Sequence, residues 1–321
     1  MTMSISGIHH ITSLASDAQQ NLDFYAGFLG LRLVKQTVNF DAPDVYHLYY
    51  GDEIGRPGTI LTFFPFPDAV RGKRGTGEAS AVAFTVPSGS LDFWVPHLSR
   101  KGISFRGPDT RFGEKLISFE DPDGMTVELF EGGAGSDAPG WQGGPVEARY
   151  AIRRFHGITL THRSAAATSE FLAESLGFIA GGAEGNRHRF FGGTGEDRSL
   201  IDVLEDSALP PARQSAGSVH HIAWRVKDDA EQLEWRRELR KKGAAPTQVM
   251  DRQYFNSIYF REPAGVLFEI ATDPPGFSID EPVDSLGSHL KLPPWLEPQR
   301  AVIERHLPPL EVPASAARES T

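Results

Sequence analysis

The chain of 321 residues contains no cysteine. That excludes disulfides, thiolate metal clusters, zinc ribbons and cysteine nucleophiles, so any transition metal here must be held by His, Asp or Glu. Basic residues are in deficit: Lys and Arg total 32 against 42 Asp and Glu, a formal charge of −10. A surplus of that sign disfavours nucleic acid or an anionic membrane as the main partner. No apolar run is long enough to span a bilayer, and the start, Met1-Thr2-Met3-Ser4-Ile5-Ser6-Gly7, does not read as a signal peptide. The expectation is a soluble cytoplasmic protein. What the chain does have is glycine and proline, 33 and 23 residues, which point to many turns rather than a helical bundle. At roughly 150 residues per domain the length suggests two domains.

The chain repeats itself. Shifted by 147 positions, His9-His10-Ile11-Thr12 falls on His156-Gly157-Ile158-Thr159, and Phe24, Ala26, Leu29 and Gly30 fall on Phe171, Ala173, Leu176 and Gly177. A second alignment, at a shift of 140 becoming 141, places Ala81–Val86 on His221–Val226, Trp94 on Trp235, Gly102 on Gly243, and Pro122, Gly124 and Glu128 on Pro263, Gly265 and Glu269. Each copy reads as a strand, an amphipathic helix and then further strands. Four βαβββ modules follow, at 5–65, 79–131, 152–205 and 217–272. The Gly-rich stretch 132–151 is the linker between an N-terminal domain, 1–131, and a C-terminal domain, 152–272. The tail, 273–321, is apolar enough near Leu290, Leu292, Trp295, Leu296, Val302 and Ile303 to pack back on the body. The basic run Arg71-Gly72-Lys73-Arg74 reads as a solvated turn.

Two histidine doublets, His9-His10 and His220-His221, open predicted strands. Neighbouring strand residues point to opposite faces, so one His of each pair is expected in a given cavity. Glu269 interrupts the apolar strand Gly265-Val266-Leu267-Phe268-Glu269-Ile270-Ala271. A buried carboxylate needs a partner. Two imidazoles and one carboxylate form the facial triad of non-haem Fe(II) sites, which leaves positions open for substrate and dioxygen. Only pairing the first module with the fourth completes such a set, as His10, His221 and Glu269. Pairing the second with the third leaves Glu128 facing Ala81 and Gly157. A one-residue gap would put His156 opposite His10 instead; the ungapped match of Ile158-Thr159 to Ile11-Thr12 favours Gly157.

Several segments carry a resemblance: Gly7–Thr12; Leu31–Asp41, with Val34-Lys35-Gln36-Thr37-Val38-Asn39; Tyr46-His47-Leu48-Tyr49-Tyr50-Gly51-Asp52; Ser218–Trp224; the 252–269 segment; and Leu292–Pro298. With these the chain resembles the vicinal-oxygen-chelate (glyoxalase-like) superfamily, and within it the ring-cleaving dioxygenases of the chlorohydroquinone and hydroquinone group. The resemblance implies an α+β fold of four βαβββ modules paired into two barrel-like domains. It implies Fe(II), with Mn(II) as the alternative, on His10, His221 and Glu269. It also implies substrate or supporting roles for His9, Thr12, His220, Arg252 and Tyr259. Arg252 is a permanent cation suited to an anionic oxygen, Tyr259 a phenol able to donate to one, and His220 a proton carrier. The expected partners are a small aromatic molecule and dioxygen, without nucleic acid or membrane; a homo-oligomer is left open. The expected reaction is oxygen-dependent opening of a para-hydroquinone ring. The competing readings are a glyoxalase-like isomerase or lyase, a catechol-type extradiol dioxygenase, and a binding protein.

Overall fold

The first strand, β1 (Ile8–Ala15), is followed by a short helix, α1 (Ala18–Leu22), that widens into a π turn over Asp23–Phe28. Asp17 caps it by accepting from Gln20 N, and Gly30, at a φ of 76°, turns the chain out of it. Strands β2 (Arg32–Asn39), β3 (Ala42–Gly51) and β4 (Ile60–Pro65) complete the first module. The second holds β5 (Glu78–Val86), α2 (Leu91–Arg100), β6 (Phe105–Arg111), β7 (Glu114–Glu120) and β8 (Thr126–Glu131). The third holds β9 (Phe155–His162), α3 (Ala166–Glu170), β10 (Ile179–Glu184), β11 (Arg187–Gly192) and β12 (Ser199–Glu205). The fourth holds β13 (Val219–Val226), α4 (Asp229–Lys241), β14 (Met250–Asp251), β15 (Phe255–Arg261) and β16 (Leu267–Pro275). This computed structural model describes residues 3–312.

The modules pair as the repeat anticipates. One eight-stranded sheet runs β14-β15-β16-β13-β1-β4-β3-β2, joining the fourth module to the first; the other runs β10-β11-β12-β9-β5-β8-β7-β6, joining the third to the second. The seam of the first sheet is the antiparallel pair β1–β13, and that of the second is β5–β9. On one face of each sheet Ile11, Ile222, Trp224, Phe268 and their repeats Ile158, Val82, Phe84 and Val127 enter a single apolar core with the helices, which contribute Leu22, Trp94, Leu172 and Trp235. The opposite, concave face is left for function.

Each seam strand carries a β-bulge, and this changes what a strict alternation implies. The registers Ile8↔Trp224, His10↔Ala223, Thr12↔His221 and Ser13↔Val219 leave His9 and His220 as the extra residues. The bulges let Ile8 and Ile11, three apart, reach the same core. They also bring each doublet's two rings together. His220 therefore joins His221 at the cavity edge instead of pointing away from it.

The loops between modules are not free turns. Residues 71–76 pair with 211–216 through isolated bridges, Arg71↔Ala216, Lys73↔Arg213 and Thr76↔Pro211. Arg71 also meets Glu120 and Arg74 meets Glu78. The tail from Phe277 to Val312 lies against the body, burying Leu286, Leu292, Leu296, Ile303 and Leu307. Its anchor is Lys35 on β2, fully buried, whose Nζ lies 2.7 Å from Asp280 Oδ1 and 2.9 Å from Glu281 Oε2. Residues 313–321 of the expected tail fall outside the described residues.

Candidate metal centre

His10 on β1, His221 on β13 and Glu269 on β16 lie on three adjacent strands at the seam of the first sheet. The register pairs Thr12 with His221 and Ala223 with Glu269, so all three side chains rise from one concave patch. His221 Nε2 is 2.9 Å from Glu269 Oε2, His10 Nε2 is 3.4 Å from the same oxygen, and the two Nε2 atoms are 3.3 Å apart. All three residues are buried, and Oε2 is left without a well-directed hydrogen bond. Three donor atoms crowd round one buried point, one of them orphaned, an arrangement that could hold a metal ion. Among the described residues this is the one His/Asp/Glu group able to hold a metal ion.

The protonation states agree. Burial acts to raise the Glu269 pKa, but the His10 and His221 imidazoles outweigh it and hold the carboxyl well below its usual range. Burial pushes His221 down, and His220 falls to about 3 through burial and the neighbouring His221. An ionised carboxylate with neutral imidazole is the donor set that a divalent ion requires.

The bulges supply the supporting shell. His9 Nδ1 lies 2.9 Å from His10 Nδ1, and His220 Nδ1 lies 2.8 Å from His221 Nδ1. One nitrogen of each pair must carry the proton; with it on the His10 and His221 rings, their Nε2 atoms are free to face a metal ion. Phe255 packs on both His9 and His10, at 5.1 Å and 4.8 Å between ring centres.

The triad opens on a cavity of about 520 Å³. Its walls are largely apolar, with Leu14, Phe40, Phe64, Phe66, Phe255 and Leu267. Arg252 and Tyr259 line it as the sequence suggests. Arg252 Nε donates to the Tyr259 hydroxyl at 3.2 Å and its Nη2 sits 3.1 Å from Asp41 Oδ2. Burial opposes the Arg252 charge, but Tyr259 and Asp41 more than offset it and raise its pKa. Burial, reinforced by Glu269, raises that of Tyr259.

Of the two roles the resemblance allows Thr12, the geometry fits support rather than substrate contact. Thr12 shares His10's strand face but does not line the cavity; it sits behind a chain of hydrogen bonds. Thr62 Oγ1 donates to Thr12 Oγ1 at 3.0 Å, which leaves Thr62 to accept from His47 Nε2 at 2.8 Å and His47 Nδ1 to accept from the Tyr49 hydroxyl at 2.8 Å. His47 and Tyr49 both line the cavity and were not singled out from the sequence. The available signal was their i, i+2 spacing on β3 within a quoted motif, which puts both on one strand face. Burial, with His10 and His221 nearby, pushes His47 well below the usual imidazole range.

The second sheet holds the empty counterpart. The bulge in β9 falls on His156, so Gly157 takes the place of His10, as the ungapped repeat indicates. Ala81 and Glu128 stand where His221 and Glu269 stand in the first sheet. Glu128 spends both oxygens on Arg111, at 2.8 Å each. A Cβ on Gly157 would lie 2.4 Å from the Leu200 carbonyl oxygen, so no side chain fits there.

Fold and site together define a class: paired-module α+β proteins with three side chains able to hold a metal ion on the concave face of a shared sheet. The chain belongs to the Glyoxalase/Bleomycin resistance protein/Dioxygenase superfamily, whose model matches residues 7–129 and again 154–270. It is 45% identical over 314 residues, covering 97% of this chain and 99% of its relative, to MhqO of Bacillus subtilis (strain 168), provisionally named a ring-cleaving dioxygenase. It is 38% identical to the chlorohydroquinone/hydroquinone 1,2-dioxygenase of Sphingobium indicum, across 91% of this chain and 93% of that protein. A crystal structure of a provisionally assigned dioxygenase from Bacillus subtilis superposes with a TM-score of 0.92 at 43% identity, over 97% of this chain and 99% of that one.

Proposed function

We propose that this protein is an Fe(II)-dependent dioxygenase that opens the ring of para-hydroquinones. Mn(II) is the alternative ion. The observation that carries the reading is a three-donor site facing an aromatic-lined cavity, in a chain similar nearly end to end to a hydroquinone dioxygenase. His10, His221 and Glu269 would hold the metal. Bound there, Fe(II) would acidify a phenolic oxygen as a Lewis acid and pass electron density from substrate to dioxygen. A fourth protein ligand, as a glyoxalase-like isomerase would use, has no candidate on β4, where Thr62 is the polar residue of the concave face.

The chain's own groups supply binding and proton transfer. The phenylalanine walls exclude water and stack a ring. Arg252 offers a fixed positive charge and Tyr259 a donor for oxygens that gain negative charge. Tyr49 takes a hydroxyl proton from substrate as it gives its own to His47 Nδ1, which is neutral and free to receive it. His220 stands at the rim as a second carrier, and His9 holds His10 from behind.

Oxygen uptake with Fe(II) and a panel of hydroquinones and catechols tests this. Hydroquinone should drive uptake in air, with label from isotopic dioxygen in the product, and catechol should not. His10→Ala, His221→Ala and Glu269→Ala should lose both metal and uptake, while His156→Ala keeps both. An unlabelled product, or catechol as the better substrate, would refute the assignment.

A further inference from the structure

We propose that Ser257 is a positioning residue for the metal: its hydroxyl takes one oxygen of Glu269 and so leaves the other alone to face the ion. The inference rests on the triad reading above. Ser257 and Glu269 are both wholly buried, and Ser257 Oγ donates to Glu269 Oε1 in a short hydrogen bond. Oε2, the second oxygen, is the atom turned to His10 and His221 and left without a hydrogen bond. The carboxylate is thus divided, one oxygen to the protein and one to the site.

The repeat provides an internal control. Tyr259 pairs with Glu269 across β15–β16, and Ser118 pairs with Glu128 across β7–β8. Two residues earlier, the place of Ser257 is occupied by Leu116, which offers no donor. There Glu128 is not divided: both of its oxygens go to the planar fork of Arg111. The hydroxyl is present where two imidazoles face the carboxylate and missing where a guanidinium does. A carboxylate pinned at one oxygen contributes a single donor atom, which keeps room at the ion for substrate and dioxygen together.

The test uses the full chain, stripped of metal by chelation and titrated with Co(II), whose visible d–d bands report coordination. Ser257→Ala should weaken Co(II) binding by about 10-fold or more and shift the band intensity as the freed oxygen reaches the ion. Ser257→Thr, which retains the hydroxyl, should restore the wild-type affinity and spectrum. Thermal unfolding of the metal-free proteins should be closely similar. Wild-type binding and spectrum in Ser257→Ala would overturn the proposal. So would a metal-free alanine variant that no longer folds, since the hydroxyl would then serve the fold. If His221→Ala also binds Co(II) as the wild type does, the triad reading fails instead, and the two failures are told apart.

Discussion

A histidine can pack, bind a metal or move a proton, and here the difference lies in what each ring nitrogen touches. His10 and His221 turn Nε2 to a shared point; His9 and His220 meet them from behind at Nδ1. His47 makes no contact with that point, and both of its nitrogens are engaged in a directed chain from Tyr49 to Thr62. Its role should therefore separate from metal binding. His47→Gln is expected to keep the bound metal and lower kcat by about 10²- to 10³-fold, the usual scale for a lost proton carrier. Metal content by atomic emission alongside oxygen uptake checks this; a variant that loses its metal would make His47 a structural support.

At the scale of the element, the bulged seam strand is the decisive unit. β1 and β9 share a register and a bulge, yet one presents His10 and the other Gly157. The second site is closed by backbone contact as well as by composition. Gly157→His is expected to lower stability by roughly 1–3 kcal/mol, because its Cβ would lie 2.4 Å from Leu200 O and 2.7 Å from Leu200 Cβ. It should gain no second metal, since Arg111 already occupies Glu128. Thermal melts and metal stoichiometry measure both; two ions per chain would show that the clash relaxes. The bulges were illegible in the sequence. Period-2 reasoning places one His of each doublet outside the cavity; that holds for His9, while at the second doublet the inserted residue brings His220 to the cavity edge.

Across the whole molecule, the first and second modules lie in different sheets and are stitched together by buried polar contacts. Asp121, in the turn before β8, accepts from the hydroxyl of Tyr25 in the first module at 2.9 Å and from Met125 N at 2.7 Å. Burial raises its pKa from 3.8 to about 6. A carboxyl with a raised folded-state pKa contributes its stability below the unfolded value and loses it as pH rises through 6. The gap converts to roughly 3 kcal/mol at most. Asp121→Asn should therefore gain on the wild type between about pH 4 and pH 6 and hold that gain above it, seen as a difference in Tm that moves in the variant's favour. A pH-independent difference would show that Asp121 ionises in the fold as it does in water.

The repeats, the four modules, the pairing of first with fourth and the meeting of His10, His221 and Glu269 could all be read along the chain. Each rests on a local pattern: a period, a spacing, a charge in an apolar strand. The tail's return was legible for the same reason, in its apolar residues, though its anchor on Lys35 was not. Thr12's retreat behind Thr62, the entry of His47 and Tyr49, the division of Glu269 by Ser257 and the sealing of the second site by Arg111 were decided in three dimensions. They depend on which side chains meet across strands far apart in the chain, and hydrogen-bond direction and steric contact exist only once the sheet has closed.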